Sequence, residues 1–229
     1  MTGTAIILGA SGGIGSAFLN VLENSGHHDT VLGFSRSSRP SLQLQDEASI
    51  RACAEHAGSL NGDVRLIFDA TGALTLDGIG PEKSMRDLDP EVLAQSFAVN
   101  AVGPALLMKH FLPLLPRTSR CVFATLSARV GSIGDNRLGG WYSYRASKAA
   151  LNQLVRSASV ELARRNPQAI CVVMHPGTVR TSLTEGFAKT GLEVQEPLEA
   201  ARRIFDVIQK LTPSQSGGFF DQLGRPVPW

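Results

Sequence analysis

The N-terminal residues combine a strand, a turn and a helix in an order that few folds accommodate. The apolar run Ala5-Ile6-Ile7-Leu8 leads directly into a glycine-rich turn, and apolar residues at helical spacing follow. These features form the first half of a βαβ unit. Glycine lets a ligand approach the backbone, and the free N–H groups at a helix start favour a phosphate. We therefore predict dinucleotide binding here, with a plain tight turn as the alternative. The residues predicted to bind are Gly9, Ser11, Gly13, Ile14 and Gly15.

Segments with strand and helix character alternate along the rest of the chain, without a linker or an internal repeat. This alternation predicts a single domain, residues 1–229, of the α/β class. We expect a doubly wound parallel β-sheet (a Rossmann fold) of about seven strands, flanked by helices on both faces. Ligands of such sheets bind beyond the carboxyl ends of the strands. The predicted strands are residues 5–8, 30–34, 42–44, 64–69, 121–126, 170–174 and 217–220, and the main predicted helices after the first are residues 47–57, 90–113, a helix containing Tyr144, and residues 196–210.

The end of the second predicted strand indicates which dinucleotide binds. An NAD site usually places an acidic residue there for the ribose 2′-hydroxyl, whereas an arginine suits a 2′-phosphate. No Asp or Glu occurs between Thr30 and Gln45, and Arg36 follows the strand. The sequence therefore predicts NADP(H) in preference to NAD(H). The alternative is that Arg36 belongs to a solvated loop.

Tyr144 and Lys148 form the candidate catalytic pair. Residues four apart lie on one face of a helix, so both side chains can reach one pocket. A phenol has a pKa of about 10. An ammonium about 4 Å away, at an effective dielectric constant of about 20, would stabilise the phenolate by roughly 4 kcal/mol and bring its pKa into the working range of an acid–base catalyst. The alternative is a boundary tyrosine and a solvated lysine that merely share a helix.

Composition argues against several other classes of protein. The chain has 22 basic and 20 acidic residues, a net charge of +2, which does not indicate a nucleic-acid or membrane partner. No apolar run approaches the roughly 20 residues of a membrane span, and no secretory signal is evident, so we expect a cytoplasmic protein. Cys53, Cys121 and Cys171 are expected to be reduced, and the five histidines lack metal-ligand spacing, so we predict no metal site.

Five motifs together identify a family. They are the glycine turn, Asn100, a serine- and glycine-rich loop from Ser127, Tyr144-Arg145-Ala146-Ser147-Lys148, and Pro176-Gly177-Thr178-Val179-Arg180-Thr181. In this order and spacing the chain resembles the short-chain dehydrogenase/reductase family, from the first strand to the end. Residues 127–136 and 218–229 are most similar to the small carbonyl reductases of the C-factor type.

The resemblance implies hydride transfer between a nicotinamide and a small carbonyl or alcohol substrate. Tyr144 would be the general acid or base, and Lys148 would lower its pKa and bind the nicotinamide ribose. Asn100 would hold a water relay to Lys148. Further cofactor contacts are implied for Gly72 at the adenosine ribose and for Pro176, Val179 and Thr181 at the nicotinamide. The resemblance also suggests a homodimer or homotetramer formed through the long helices, and an irregular segment at residues 182–195 is expected to form a lid that includes Leu183, Phe187 and Leu192.

The sequence departs from the family pattern at three places. Ala128 occupies the position of the substrate-orienting serine, so Ser127 or Ser132 would supply the hydroxyl, and we favour Ser127. The motif Asp69-Ala70-Thr71-Gly72 replaces Asn-Asn-Ala-Gly, and Gln43 replaces an aspartate. Ala128 leaves open a second hypothesis, a nucleotide-binding signalling or scaffold protein on a reductase fold.

Overall fold

The structure, a computed structural model, describes residues 3–181, 183–184 and 194–229. Its strands are β1 (Thr4–Leu8), β2 (Thr30–Phe34), β3 (Val64–Asp69), β4 (Cys121–Leu126), β5 (Ala169–His175), β6 (Thr178–Val179), β7 (Val194–Gln195) and β8 (Phe219–Asp221). Its α-helices are α1 (Gly13–Ser25), α2 (Glu47–Gly58), α3 (Pro90–Phe97), α4 (Gly103–Phe111), α5 (Tyr142–Arg165) and α6 (Pro197–Lys210).

Six of these strands form one parallel sheet in the order β2-β1-β3-β4-β5-β8. The strand order reverses between β1 and β3, so the carboxyl ends of these two strands border a crevice at the switch point of the sheet. The predicted doubly wound parallel sheet is confirmed. Two further strands, β6 and β7, form a separate short parallel pair beside it.

Each face of the sheet is covered by its own apolar cluster. On one face Phe123 of β4 packs with Phe111 of α4 and Leu151 of α5. On the other face the ring of Phe18, from α1, stacks on Phe68 of β3 at 3.8 Å between centroids. Strands buried on both faces explain why the sequence shows continuous apolar runs rather than alternation.

The predicted strand at residues 42–44 is wrong. Leu42 is buried, but the chain there follows a turn, in which the Leu42 N–H donates to the carbonyl of Ser35 at 2.8 Å. The next N–H, that of Gln43, donates to the Ser49 hydroxyl at 2.8 Å. Because a turn and a side chain satisfy these backbone groups, the segment does not join the sheet.

The predicted helix at residues 90–113 is divided into α3, a π-helical segment, α4 and a 3₁₀ turn at Leu112–Leu114. Between α3 and α4 the chain adopts a π-helical segment, Ala98–Val102, which contains the fully buried Asn100. The stretch Pro90–Leu114 is long and apolar enough to cross a membrane by length and composition alone. Leu107 and Phe111 within it lie fully buried in the core, whereas Val102 is exposed.

Candidate active site

The glycine turn links β1 to α1 and has the geometry of an anion site. Gly9 adopts φ 85°, and its N–H donates to the Phe34 carbonyl at 2.8 Å, which fixes the turn against the end of β2. A Cβ on Gly15 would clash with the Gly9 carbonyl oxygen, so the helix and the turn pack too closely for any residue but glycine at this position. The helix is capped by Gly12 without a side-chain hydrogen bond, and its first turn has no acidic residue. Its first N–H groups and positive dipole end therefore suit a phosphate.

Ser11 and Gly13 of this turn are exposed, and Ile14 is half-buried. A Cβ on Gly13 would lie 2.6 Å from Cγ2 of Thr181, so the Pro176–Thr181 motif reaches the glycine turn. Arg36 is exposed in the turn that follows β2, on the same edge of the sheet. Within the described residues Arg36 makes no ion pair, and its contact with a 2′-phosphate stays a prediction.

Helix α5 buries Tyr144 and Lys148 on one face, at 8 % and 3 % exposure. Lys148 Nζ lies 6.0 Å from the centroid of the Tyr144 ring and donates to the Leu126 carbonyl at 3.1 Å. Burial raises the pKa of Tyr144, and it lowers that of Lys148 to about 8 against the opposing charge of Asp69. The phenol pKa thus moves opposite to the lowering by Lys148 that the sequence predicts, because burial disfavours the charged phenolate.

Asn100 ties the π-helical segment to the chain that follows β3. Its Oδ1 accepts from the Ala73 N–H, and its Nδ2 donates to the Ala73 carbonyl, both at 2.9 Å. Gly72, beside it, has φ 131°, and a Cβ there would lie 3.0 Å from Asn100 Oδ1 and 3.1 Å from Lys148 Nζ. The structure thus brings Gly72, Asn100 and Lys148 together, while the water relay through Asn100 stays a prediction.

Ser127 and Ser132, the two candidates for the substrate-orienting serine, differ in the hydrogen bonds of their hydroxyls. Ser127 directly follows β4 and is 4 % exposed, and its Oγ has no hydrogen-bond partner among the described residues. The Ser132 hydroxyl instead accepts from the Asp135 N–H at 3.1 Å. A buried hydroxyl without a partner costs about 1–3 kcal/mol, unless a ligand completes it. Of the two hydroxyls, that of Ser127 is the one without a partner among the described residues, and its contact with a substrate stays a prediction.

The Pro176–Thr181 motif runs from the end of β5 into β6. The Pro176 carbonyl accepts from Gln195 Nε2 at 2.6 Å, and Val179 is 2 % exposed. The pairing of β6 with β7 shows that the segment predicted as an irregular lid ends in a strand, at Val194–Gln195. Leu183 of that segment is half-buried, whereas Phe187 and Leu192 lie outside the described residues.

Sequence reasoning missed a clamp at the start of α5. Glu82 is 6 % exposed, and its carboxylate accepts from the N–H of Ser143 at 3.1 Å and from the Ser143 hydroxyl. The Trp141 N–H donates to the Glu82 carbonyl, and Trp141 has left-handed φ 55° with its ring edge-on to that of Tyr144 at 6.3 Å. A carboxylate in an irregular loop gives no sequence signal for such a contact.

Arg145, the second residue of the Tyr-Arg-Ala-Ser-Lys motif, holds the serine loop closed. Its Nε donates to the Gly140 carbonyl at 2.9 Å and its Nη1 to the Val130 carbonyl at 3.2 Å. One guanidinium thus bridges the two ends of the loop. Because Val130 lies close to Ser127 in sequence, Arg145 connects the helix that carries Tyr144 with the candidate substrate loop.

A sequence model described as short chain dehydrogenase matches residues 3–191. The chain belongs to the short-chain dehydrogenase family. The resemblance stated from the motifs is confirmed, and the coarse functional class that membership implies is that of an oxidoreductase.

Two relatives support this family membership. The C-signal of Myxococcus xanthus is 37% identical over 147 residues, which cover 64% of this chain and 84% of the relative. The 1-hydroxy-2-glutathionyl-2-methyl-3-butene dehydrogenase of Rhodococcus sp. (strain AD45) is 30% identical over 190 residues, covering 83% of this chain and 79% of the relative. One relative is thus named as a signal and the other as an enzyme.

Solved structures share the fold along the whole chain. The carbonyl reductase Sniffer of D. melanogaster has a TM-score of 0.86 at 22% identity, covering 100% of both chains. The NADPH-bound carbonyl reductase from chicken fatty liver has a TM-score of 0.84 at 24% identity, covering 100% of this chain and 94% of that one. The short-chain dehydrogenase fold therefore extends beyond the matched residues 3–191 into α6 and β8.

Proposed function

We propose that this protein is an NADPH-dependent reductase of small carbonyl compounds, working also in the reverse direction on the alcohol. The observation that carries the proposal is the burial of Tyr144 and Lys148 on one face of α5, together with the unpartnered hydroxyl of Ser127 at the end of β4. These groups lie at the carboxyl edge of the sheet, where such folds bind ligands. A phenol can donate the proton, an ammonium can stabilise the phenolate that remains, and a hydroxyl can orient the carbonyl oxygen.

The residues present fit a phosphorylated dinucleotide. The uncapped start of α1 suits a pyrophosphate, and Arg36 is available for a 2′-phosphate. Gly72 lies close against Asn100 and Lys148, since a Cβ there would be 3.0 Å from Asn100 Oδ1 and 3.1 Å from Lys148 Nζ, and a glycine here lets a ribose approach the backbone. The NADPH bound by the chicken carbonyl reductase is in keeping with this choice of cofactor. NADPH supplies the hydride when bound.

The protein's own residues would handle the proton and the orientation of the substrate. The Tyr144 hydroxyl donates its proton to the carbonyl oxygen as the alcohol forms, and takes it back in oxidation. Lys148 stabilises the resulting phenolate and binds the nicotinamide ribose, with Asn100 beside it. Ser127 donates a second hydrogen bond to the substrate oxygen, and Pro176, Val179 and Thr181 border the nicotinamide.

A second candidate is a nucleotide-binding signalling protein with little or no turnover. Ala128 at the usual serine position favours it, as does a relative that is named as a signal. The two candidates differ in one observable quantity. A signalling protein would bind NADPH and consume none of it with any carbonyl compound.

The experiment that tests the proposal follows NADPH absorbance with a panel of aldehydes, ketones and quinones. Tyr144→Phe should lower kcat by at least about 10²-fold because it removes the proton donor, while NADPH binding measured by fluorescence stays close to that of the wild type. Tyr142→Phe is the matched control, two residues away on the same helix, and should keep its activity. Full activity of Tyr144→Phe would overturn the catalytic assignment, and NADPH binding without turnover in the wild type would favour the signalling candidate.

A further inference from the structure

A buried carboxylate ends β3 beneath the candidate active site. Asp69 has no exposed surface, and its Oδ1 accepts from the N–H of Thr71 at 2.9 Å and from the Thr71 hydroxyl at 2.6 Å. Its Oδ2 accepts from the Thr125 hydroxyl of β4 at 2.7 Å. The proposed mechanism does not use this group, and the family motif has an uncharged amide at this position.

The donors around Asp69 are those of an ionised carboxylate. The Thr71 N–H cannot accept a hydrogen bond, and Oδ1 already has two donors. The hydroxyls of Thr71 and Thr125 can donate as well, so three donors can stabilise a carboxylate here. Burial raises the pKa of Asp69, and the hydrogen bonds of Thr71 and Thr125 and the charge of Lys148 oppose that rise. The charge of Lys148 is therefore one of the interactions that favour the ionised carboxylate.

Lys148 supplies that charge through two adjoining contacts. Its Nζ donates to the carbonyl of Leu126, the residue after Thr125 on β4. The same Nζ borders Gly72, three residues beyond Asp69, since a Cβ there would lie 3.1 Å from it. The ends of β3 and β4, which pair Asp69 with Thr125, thus bring the carboxylate and the ammonium into one buried cluster.

We propose that Asp69 is a positioning residue, which holds Lys148 in its ammonium form so that Tyr144 stays an effective proton donor. This inference rests on the proposed function. Removal of the negative charge would favour the neutral amine of Lys148, because desolvation already disfavours its charged form. A neutral amine would no longer stabilise the phenolate that forms when Tyr144 gives up its proton, so the site would reduce a carbonyl less well.

Few other groups compete for this role among the described residues. Tyr144 lies on the same helix, Asn100 and Ser127 are uncharged, and Gly131 of the loop packs against Lys148. On the far side of Ser127, Arg129 pairs with Asp135 at 3.0 Å and lies 3.8 Å from Asp221. Burial lowers the pKa of His175 there to about 4, so it is neutral near pH 7. Asp69 is the acidic group that faces Lys148.

The variant Asp69→Asn isolates the charge. The amide keeps the shape, its oxygen can accept from Thr71, and its NH₂ can donate to Thr125. In the wild type, kcat for carbonyl reduction should decline at high pH. In Asp69→Asn we expect this decline to occur at a pH lower by at least about half a unit, because a neighbouring opposite charge shifts a pKa by roughly 1 to 3 units. Asp206→Asn, the same substitution at an exposed position of α6, should leave the profile unchanged. An unshifted profile in Asp69→Asn overturns the proposal.

A titration without cofactor or substrate separates this inference from the proposed function. In protein with ¹³C-labelled lysine, the Lys148 signal should titrate at lower pH in Asp69→Asn than in the wild type, whether or not any carbonyl is reduced. Equal titration in the two proteins overturns the role of Asp69 even in an active enzyme. If the variant fails to fold, the ¹³C chemical shift of the Asp69 carboxyl in the wild type provides a second test. An ionised group at pH 7 supports the proposal, and a protonated group overturns it.

Discussion

A substrate carbonyl beside Tyr144 would meet the hydroxyl of Ser127 before that of Ser132. Ser127 Oγ is buried without a partner among the described residues, whereas Ser132 Oγ accepts a hydrogen bond within its own loop. A donor that is already aligned and desolvated stabilises developing negative charge far better than one that must first break a bond. Under the proposed function, a shift of one residue would offset the presence of Ala128 at the usual position.

Substitution of the two serines should affect turnover to different extents. Ser127→Ala should lower kcat/KM by roughly 10² to 10³, the usual effect of removing one donor to the reacting oxygen. Ser132→Ala removes a hydrogen bond of the loop and should have a much smaller effect. Steady-state kinetics on both variants, with NADPH binding measured in parallel, tests this order. A larger loss in Ser132→Ala would show that the loop shifts to bring Ser132 to the substrate.

At the scale of elements, α5 is positioned by its first turn. The Glu82 carboxylate binds the N–H and hydroxyl of Ser143, next to Tyr144, and the Glu82 carbonyl binds the N–H of Trp141. An anion at a helix N-terminus also interacts favourably with the helix dipole. Trp141 is a non-glycine residue with positive φ, a backbone conformation that costs free energy. The hydrogen bond from its N–H to the Glu82 carbonyl helps to stabilise that conformation.

Substitution of Glu82 should therefore weaken the start of α5. Glu82→Ala leaves the buried N–H and hydroxyl of Ser143 without this acceptor, and we expect a loss of about 1–3 kcal/mol in the free energy of unfolding. Denaturant unfolding measures it. Glu82→Gln, which keeps an acceptor, should recover part of the loss, and Glu91→Ala, at an exposed position in the first turn of α3, is the matched control. An unfolding free energy of Glu82→Ala equal to that of the wild type would contradict the clamp.

The elements predicted from sequence are those whose pattern is local. Continuous apolar runs identified the six strands of the main sheet, and the helix with Tyr144 and Lys148 follows from spacing alone. The failures depend on partners distant in sequence. Residues 42–44 have apolar character, but Ser35 and Ser49 satisfy their backbone, and the pairing of β6 with β7 needs both segments in place. The contact of Glu82 with Ser143 joins residues 61 positions apart, for which one sequence carries no signal.

At the scale of the whole molecule, the sheet collects groups from distant parts of the chain at one edge. The glycine turn follows β1, Arg36 follows β2, Gly72 follows β3, and Ser127 follows β4. Because parallel strands end on the same side, this order alone produces a site. The single domain, the homodimer or homotetramer and the cytoplasmic location stay predictions.

The same global fold holds two histidines in neutral form, the buried His28 and the half-buried His175, which makes its stability depend on pH. Burial is the first cause that lowers the pKa of His28 and of His175, each from 6.5 to about 4. Both ring nitrogens of His28 lack a hydrogen-bond partner among the described residues. Below pH 6.5 the unfolded chain takes up these protons and the folded chain does not, so the free energy of unfolding falls until about pH 4. Each histidine contributes at most about 3 kcal/mol to that fall.

We therefore expect His28→Leu to flatten the pH dependence of stability. The leucine cannot titrate and leaves no buried ring nitrogen, so the midpoint of thermal unfolding should fall less between pH 6.5 and 4 than in the wild type, without a loss near neutral pH. Calorimetry at several pH values measures this difference. Carboxylates that titrate in the same range affect both proteins equally, and His56→Gln, at an exposed position of α2, should follow the wild type. A parallel fall in His28→Leu would mean that His28 takes up its proton in the folded state as readily as in the unfolded chain.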